Sequence, residues 1–523
     1  MKSRSLLTIL LLATLAPISL PASRISSAQS GNIFTPDAPL VFTFEPDAAT
    51  PAAQSVVATL RDFENRVIAT SELKDNIATL PAAPSGFYRL EIGAANAPAL
   101  ATTTLGVLPP LVKKSADPSS RYGTIAHLKR MDDSHRDLML DLIARAGFGW
   151  IREGFLWHEL EPAPGEWRTD RYDDLVNRSL RHGLQVLPVL AFGNTWAAEA
   201  PDTTPRNILR QTMPKLDAWE TYVRTMITRY GDRLHAWEVW NEPNLPTYWK
   251  PAPDAEAYAR LAARTFATIK ALAPADTVIT AGFSPEKVNR PDLPDHDEGT
   301  FLRALEAQPV RPYDAVGYHP YTVFRHGVSP AQTATLFKRN FDSLDAGLDQ
   351  STRMPAPVWI TEIGVSTIPR ITTEEKAAGH LAIVLTLALA RSDVEKIFLY
   401  NFRDVGTNSL EKEDMFGLIH NDYTPKPGYF ACHTFFTRFA DATFVERTET
   451  SGVVSHAFAT PDGRTLLALW SANGQPRTAD VPVPAAAATR INIVGDATPL
   501  AVSNGKVTLE VSAIPIYLEF IAQ

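Results

Sequence analysis

The stretch His235-Ala236-Trp237-Glu238-Val239-Trp240-Asn241-Glu242-Pro243-Asn244 decides the reading of the fold. It opens as a short, mostly apolar strand-like run and breaks into a polar turn; the amphipathic helical pattern of Ala255 to Leu272 follows, until Ala273-Pro274 stops it. A buried strand that feeds a helix is one unit of a parallel sheet. The rhythm repeats in both directions, with strands expected at Tyr122 to Leu128, Phe148 to Arg152, Leu184 to Phe192, His235 to Trp240, Thr277 to Phe283, Ala315 to Tyr318, Val358 to Thr361 and Ile397 to Asn401. Helical patterns such as Arg136 to Arg145, Tyr172 to Arg181, Ala218 to Arg229 and Glu374 to Arg391 fill the gaps, and Gly147 and Gly183 stand where helix C-caps belong. Eight such units in about 320 residues predict a closed (β/α)8 barrel. An open doubly wound sheet would carry a Gly-rich phosphate loop after a strand, and no strand is followed by one.

The flanks read differently. From about Gly31 to Leu108, runs such as Leu40-Val41-Phe42-Thr43-Phe44 and Tyr88-Arg89-Leu90-Glu91-Ile92 are broken by Pro, Gly and Asn, the texture of a small β-sandwich. Pro109-Pro110 and the polar stretch Lys113 to Ser120 read as a linker. After Ala442 the turn dipeptides Asp462-Gly463, Asn473-Gly474 and Asn504-Gly505 separate further β-rich runs. The expected α/β architecture is a (β/α)8 TIM barrel over residues 113–442, between an N-terminal β-sandwich over 29–112 and a C-terminal one over 443–523. Within residues 1–28, Lys2 and Arg4 precede the apolar run Leu6 to Leu20 and the small residues Ser26-Ser27-Ala28, the three regions of a secretory signal peptide. An exported protein, periplasmic or secreted, is expected.

Among 523 residues, 45% are apolar and 21% charged, which excludes disordered and collagen-like classes. The net charge of −8, without any Lys/Arg-rich block, speaks against nucleic acid or an anionic membrane as partner. The Leu6 to Leu20 run is short for a membrane span and Pro17 interrupts it, so no stable membrane insertion is expected. Cys432 has no partner cysteine, and within Tyr429-Phe430-Ala431-Cys432-His433 it reads as a small buried hydrophobe. No Gly-x-Ser-x-Gly elbow, His-Glu-x-x-His helix or Walker loop occurs.

In such a barrel the C-terminal strand ends line the mouth. Strand four ends in Asn241-Glu242 and strand seven in Thr361-Glu362-Ile363-Gly364, so closure sets two carboxyl groups on facing sides of one cleft. That pair suits cleavage of a glycosidic bond: one protonates the leaving oxygen, and the other attacks the anomeric carbon at a separation of about 5 Å or activates water at about 6.5–9.5 Å. Packing alone is a poor account of both, since buried unpaired carboxylates are costly.

With these residues in view, the chain resembles the retaining glycoside hydrolases of clan A along the whole barrel. Asn241-Glu242-Pro243 and Glu362 carry the resemblance. Arg152, the Trp157…Glu161-Pro162…Gly165-Glu166-Trp167 segment, His319-Pro320-Tyr321 and the Gly417-Leu418-Ile419…Asp422…Pro425-Lys426-Pro427 stretch extend it. A barrel followed by a β-rich tail is most similar to family 39, the β-xylosidase and exopolysaccharide hydrolase group, with family 5 cellulase-like enzymes next. The resemblance implies that Glu242 is the general acid/base, with its pKa raised toward neutrality, and Glu362 the nucleophile, kept ionised by Arg152 and the Tyr321 hydroxyl. It further implies that Asn241 bonds the sugar 2-hydroxyl and that His319 binds a hydroxyl or orients Glu242. Many clan members end strand eight with a Trp under the sugar. Here Leu399-Tyr400-Asn401-Phe402-Arg403-Asp404 stands there, so Tyr400 or Phe402 is the expected platform, and Arg403 and Asp404 are expected to make the subsite more polar, as an acidic or substituted sugar would require.

Trp157, Trp196, Tyr248 and Trp249 stand just past strand ends and are expected to stack on sugar rings, with the sealing of barrel loops the lesser reading for Trp157 and Trp167. His127, ending strand one, reads as a pocket wall or a satisfied core histidine. Glu238 and Trp240 alternate into the wall of strand four and read as structural. Asp295-His296-Asp297-Glu298 matches no complete metal loop and reads as a helix cap. The expectation is a monomeric retaining glycosidase, without metal or cofactor, whose partner is a β-linked polysaccharide or oligosaccharide. A transglycosylase remodelling surface glycan and a catalytically silent carbohydrate-binding barrel are the other readings.

Overall fold

The computed structural model describes residues 23–47, 56–94, 97–112, 115–285, 297–322, 328–349 and 353–521. Apolar segments covered on both faces form eight parallel barrel strands: β1 (Tyr122–Ile125), β2 (Trp150–Leu156), β3 (Gln185–Ala191), β4 (Ala236–Val239), β5 (Thr277–Ile279), β6 (Val316–Tyr318), β7 (Val358–Ile363) and β8 (Val394–Leu399). β3 is buried at every residue, as a nearly continuous run of Val, Leu and Ala requires of a sheet with helices outside and side chains within. Neighbours pair in chain order, and β8 returns to β1 through Leu399 opposite Thr124. The ring closes between β5 and β6, where Ile279 bridges Ala315 and Phe283 bridges Tyr318.

Beneath the mouth, Ile125, Trp150, Leu187, Ala236, Ile279, Ala315, Trp359 and Phe398 pack into one layer that fills the lumen. Outside, helices start on side-chain caps: Asp132 accepts from the His135 N–H, Asp254 from Ala257 and Thr373 from Lys376. Asp297 likewise accepts from Gly299 at the head of Glu298–Glu306, while Glu298 is buried and takes a 2.6 Å hydrogen bond from Ser343. Asp295 and His296 of that stretch lie outside the described residues. Cys432 is fully buried, and burial pushes its thiol up.

The N-terminal unit sets a three-stranded sheet against a five-stranded one around Leu40, Phe42, Phe44, Leu60 and Leu90. Its outer strand is Arg24–Ser26, paired antiparallel with Thr43–Glu45, and the Ser27 hydroxyl donates to Asn32 at 2.7 Å. The fold therefore begins ahead of the boundary expected at Ala28: these residues complete a backbone ladder that their polar, small-residue composition had disguised. Residues 1–22 of the expected leader, like Lys113 and Lys114 of the linker, lie outside the described residues. The C-terminal unit has a six-stranded antiparallel sheet and a two-stranded ribbon enclosing their own core. Aromatic contacts seat both units on the barrel, Phe87 against Phe430 at 6.0 Å and Phe439 against Phe458 and Tyr517 at 5.4 and 5.0 Å. No helix among the described residues is long and apolar enough to cross a membrane.

Candidate active site

At the C-terminal ends of the strands a cavity of about 720 Å³ opens, and both Glu242 and Glu362 line it. The chain leaves β4 through two non-glycine residues in the left-handed region, Trp240 at φ 75° and Glu242 at φ 43°. Such a conformation costs about 1–3 kcal/mol per residue and persists only where its surroundings hold it. Here the Trp240 N–H donates to the Leu190 carbonyl at 3.0 Å and the Glu242 N–H to that of Gly282 at 3.2 Å. Asn244 exchanges hydrogen bonds with the Ser284 backbone, donating at 2.8 Å and accepting at 3.3 Å. The turn is thus pinned to the ends of β3 and β5, and Glu242 is delivered into the cavity.

Behind the two carboxyl groups runs a connected set of hydrogen bonds. Arg152 donates to both oxygens of Glu238, at 2.6 and 3.0 Å, to Glu362 at 3.1 Å and to Asn241 at 2.8 Å. Glu238, fully buried, also accepts from the Gly282 N–H at 3.1 Å and from the Thr361 hydroxyl at 2.9 Å. Thr361 has one proton and gives it to Glu238, so its oxygen accepts from His319 Nε2 at 3.0 Å. Burial lowers the imidazole to about 4, which leaves it neutral, with its single N–H on Nε2. His319 Nδ1 then faces Glu242 Oε1 as an acceptor, at 2.9 Å. The relay thus runs from Glu238 through Thr361 and His319 to Glu242.

Glu362 sits differently. It accepts from Arg152 and, at 2.7 Å, from the Tyr321 hydroxyl. Burial nonetheless outweighs these donors and pushes its carboxyl above the ordinary range. The expected donors are present, but the net direction is set by desolvation. Glu153, beside Arg152, takes a 3.0 Å hydrogen bond from the Leu128 N–H and lines the same cavity; burial pushes it up to about 7. His127 also lines the cavity and is lowered to about 4 by burial and then by Arg130 and Lys129.

Of the expected substrate-binding residues, Arg152, Asn241, Tyr321, Tyr400, Tyr248 and His127 line the cavity, and His319 lies just behind Glu242. Three tryptophans do not line it. Trp157 is fully buried, stacked on Tyr222 with its indole N–H on Glu161 at 2.7 Å, and so seals the loop after β2. Trp249 is buried against Trp240 and Tyr258. Trp196 faces a separate groove. At the end of β8, Tyr400 lies against His127 and Phe416, whereas Phe402 is buried. Arg403 and Asp404 do not make the subsite polar. Arg403 donates to the Asn421 carbonyl at 2.6 Å, and Asp404 pairs with buried Lys426 at 2.7 Å. Charge reaches the cavity instead from Lys129, Arg130, Lys412 and Glu413, together with Glu153. Glu238 is structural as expected, but it anchors the whole relay. Its register, two residues before Trp240 and four before Glu242 on the lumen side, was the available signal, since a carboxylate buried there demands a cation.

No family model matches the chain. A β-xylosidase from Geobacillus stearothermophilus is 27% identical over 242 residues, 42% of this chain; the match spans 45% of that relative's own length. Among solved structures, a family 39 glycoside hydrolase from Bacteroides cellulosilyticus superposes with a TM-score of 0.71 over 94% of this chain and 99% of that one, at 22% identity. A monomeric β-xylosidase from Caulobacter crescentus gives 0.54 over 78% and 97% at 17% identity, and a family 30 endoxylanase from Clostridium papyrosolvens gives 0.51 over 77% and 98% at 12%. The fold is the TIM barrel with β-sandwich that these enzymes share, and the chain resembles the family 39 glycoside hydrolases of clan A, the group to which Asn241-Glu242-Pro243 and Glu362 pointed.

Proposed function

We propose that the protein is a retaining glycosidase that cleaves β-glycosidic bonds of an oligosaccharide or polysaccharide. Glu242 protonates the leaving oxygen while Glu362 attacks the anomeric carbon; the bond to the leaving group breaks, and a glycosyl ester on Glu362 forms. Glu242, now a carboxylate, takes a proton from water, whose oxygen displaces Glu362 and restores both groups. Asn241, oriented by Arg152, is set to receive the sugar 2-hydroxyl, and Tyr400 to lie beneath the ring. The observation that carries this reading is the asymmetry of the pair: a hydrogen-bond relay through His319 that ends on Glu242, and two donors aimed at Glu362. β-Xylosides are the substrates to try first, as the name of the Geobacillus relative suggests. A mechanism-based 2-fluoro glycoside is expected to label Glu362, read by peptide mapping; label on any other residue removes the assignment. We also propose that the protein is exported, with a mature chain that retains Arg24–Ser26, for which N-terminal sequencing of exported material is the test.

A further inference from the structure

The loop after β3 carries a second groove, of about 690 Å³, beside the catalytic cavity. Phe192 lines the cavity, while Thr195 and Trp196 line the groove. Three residues of extended chain span at most about 11 Å, so the two openings are neighbours on one face of the barrel. Trp196 is half-buried and its ring is fixed before any ligand arrives. Its indole N–H donates to the Glu161 carbonyl at 3.2 Å; Asn194 donates to the same oxygen at 2.7 Å, and Trp157 meets the ring edge-on at 5.3 Å and 74°.

Around this ring stand Glu199, Asp202, Arg206 and Lys215, all exposed. Among the described residues none of these four side chains forms an ion pair or a hydrogen bond. Two carboxylates and two cations that share a groove without pairing form a set suited to hydroxyls, since the acids accept from sugar O–H groups and the bases donate to their oxygens. A clamped aromatic ring with such a rim matches the apolar face and polar edge of a pyranose. The balance of two charges of each sign disfavours a polyanion.

We propose that this groove is a distal binding site for a neutral β-linked glycan whose other end occupies the catalytic cavity, so that the protein grips a chain rather than a single sugar. The proposal rests on the glycosidase reading for its ligand class, and its test is separable from turnover. Protein carrying Glu362→Gln is titrated calorimetrically with dimers and hexamers of β-1,4-linked xylose, glucose and mannose. At least one hexamer is expected to bind about tenfold more tightly than its dimer, and Trp196→Ala in that background to remove the advantage. Arg206→Ala, an exposed change that leaves the packing alone, is expected to reduce it about threefold. Equal binding of dimer and hexamer, an advantage that survives both substitutions, or no binding by any of the six sugars overturns the proposal. A Trp196-dependent length effect in a protein that turns over no glycoside would remove the hydrolase and keep the groove; turnover without a length effect does the reverse.

Discussion

The imidazole of His319 rests on Gly282: a Cβ at that position would fall 1.9 Å from Nε2. The same glycine donates its N–H to Glu238 and accepts from the Glu242 N–H, so it is the floor under the relay. Gly282→Ala is expected to push His319 off Thr361 and Glu242. With substrates whose leaving group needs protonation, kcat should fall by about 10²-fold or more, and far less with an activated dinitrophenyl glycoside. Equal losses for the two leaving groups would show that His319 does not act through Glu242.

Tyr321 bears on the proposed nucleophile, Glu362. Its hydroxyl stabilises the ionised form of Glu362, a carboxyl already raised by burial. Removing the donor favours the protonated acid, so Tyr321→Phe should move the acid limb of the kcat/KM profile to higher pH, by about one unit. A limb that stays in place or moves down belongs to some other group.

Arg152 and Glu238 form a buried ion pair, with side chains 6% and 0% exposed. Arg152→Met strands Glu238 without a cation and should destabilise the fold by about 3–5 kcal/mol, measured by denaturant unfolding. Adding Glu238→Leu should restore part of that loss. A single-variant loss within measurement error would mean that the charge at Glu238 is met by other groups.

Glu153 predicts a pH dependence of stability. Its folded value of about 7 lies above the unfolded value near 4.5, so the folded chain binds the extra proton between them. Its contribution is fully present below pH 4.5 and is lost as pH rises through 7. Glu153→Gln, neutral throughout, should therefore gain on the parent chain by about 1.4 kcal/mol per pH unit across that window. A difference that does not grow with pH would place the ionised carboxylate in contact with a compensating cation.

The barrel was legible because each strand is short, apolar and followed by a helix, and its two catalytic candidates because each closes a strand at the mouth on facing sides of one cleft. What the chain hides is pairing across long separations. Arg403 and Asp404 look poised for substrate until Asn421 and Lys426, some 20 residues on, take up their charge. Trp157 and Trp249 follow strand ends as a sugar platform would, but a large ring is as good at closing a loop, and only the positions of Tyr222 and Tyr258 decide. Glu153 escaped notice because its neighbour Arg152 explained the strand end, and the Leu128 N–H that holds it comes from another strand's loop. Arg24–Ser26 was missed because an edge strand needs only backbone partners, which composition does not reveal.

The relay that ends on Glu242 is assembled from Arg152 on β2, Glu238 on β4, His319 after β6 and Thr361 on β7. No half of the cylinder contains all of them. The first four strands bring Glu242 with Arg152 and Glu238, the last four bring Glu362 with His319 and Thr361, and the relay exists only where the two sets meet. The proposed chemistry therefore requires the complete ring.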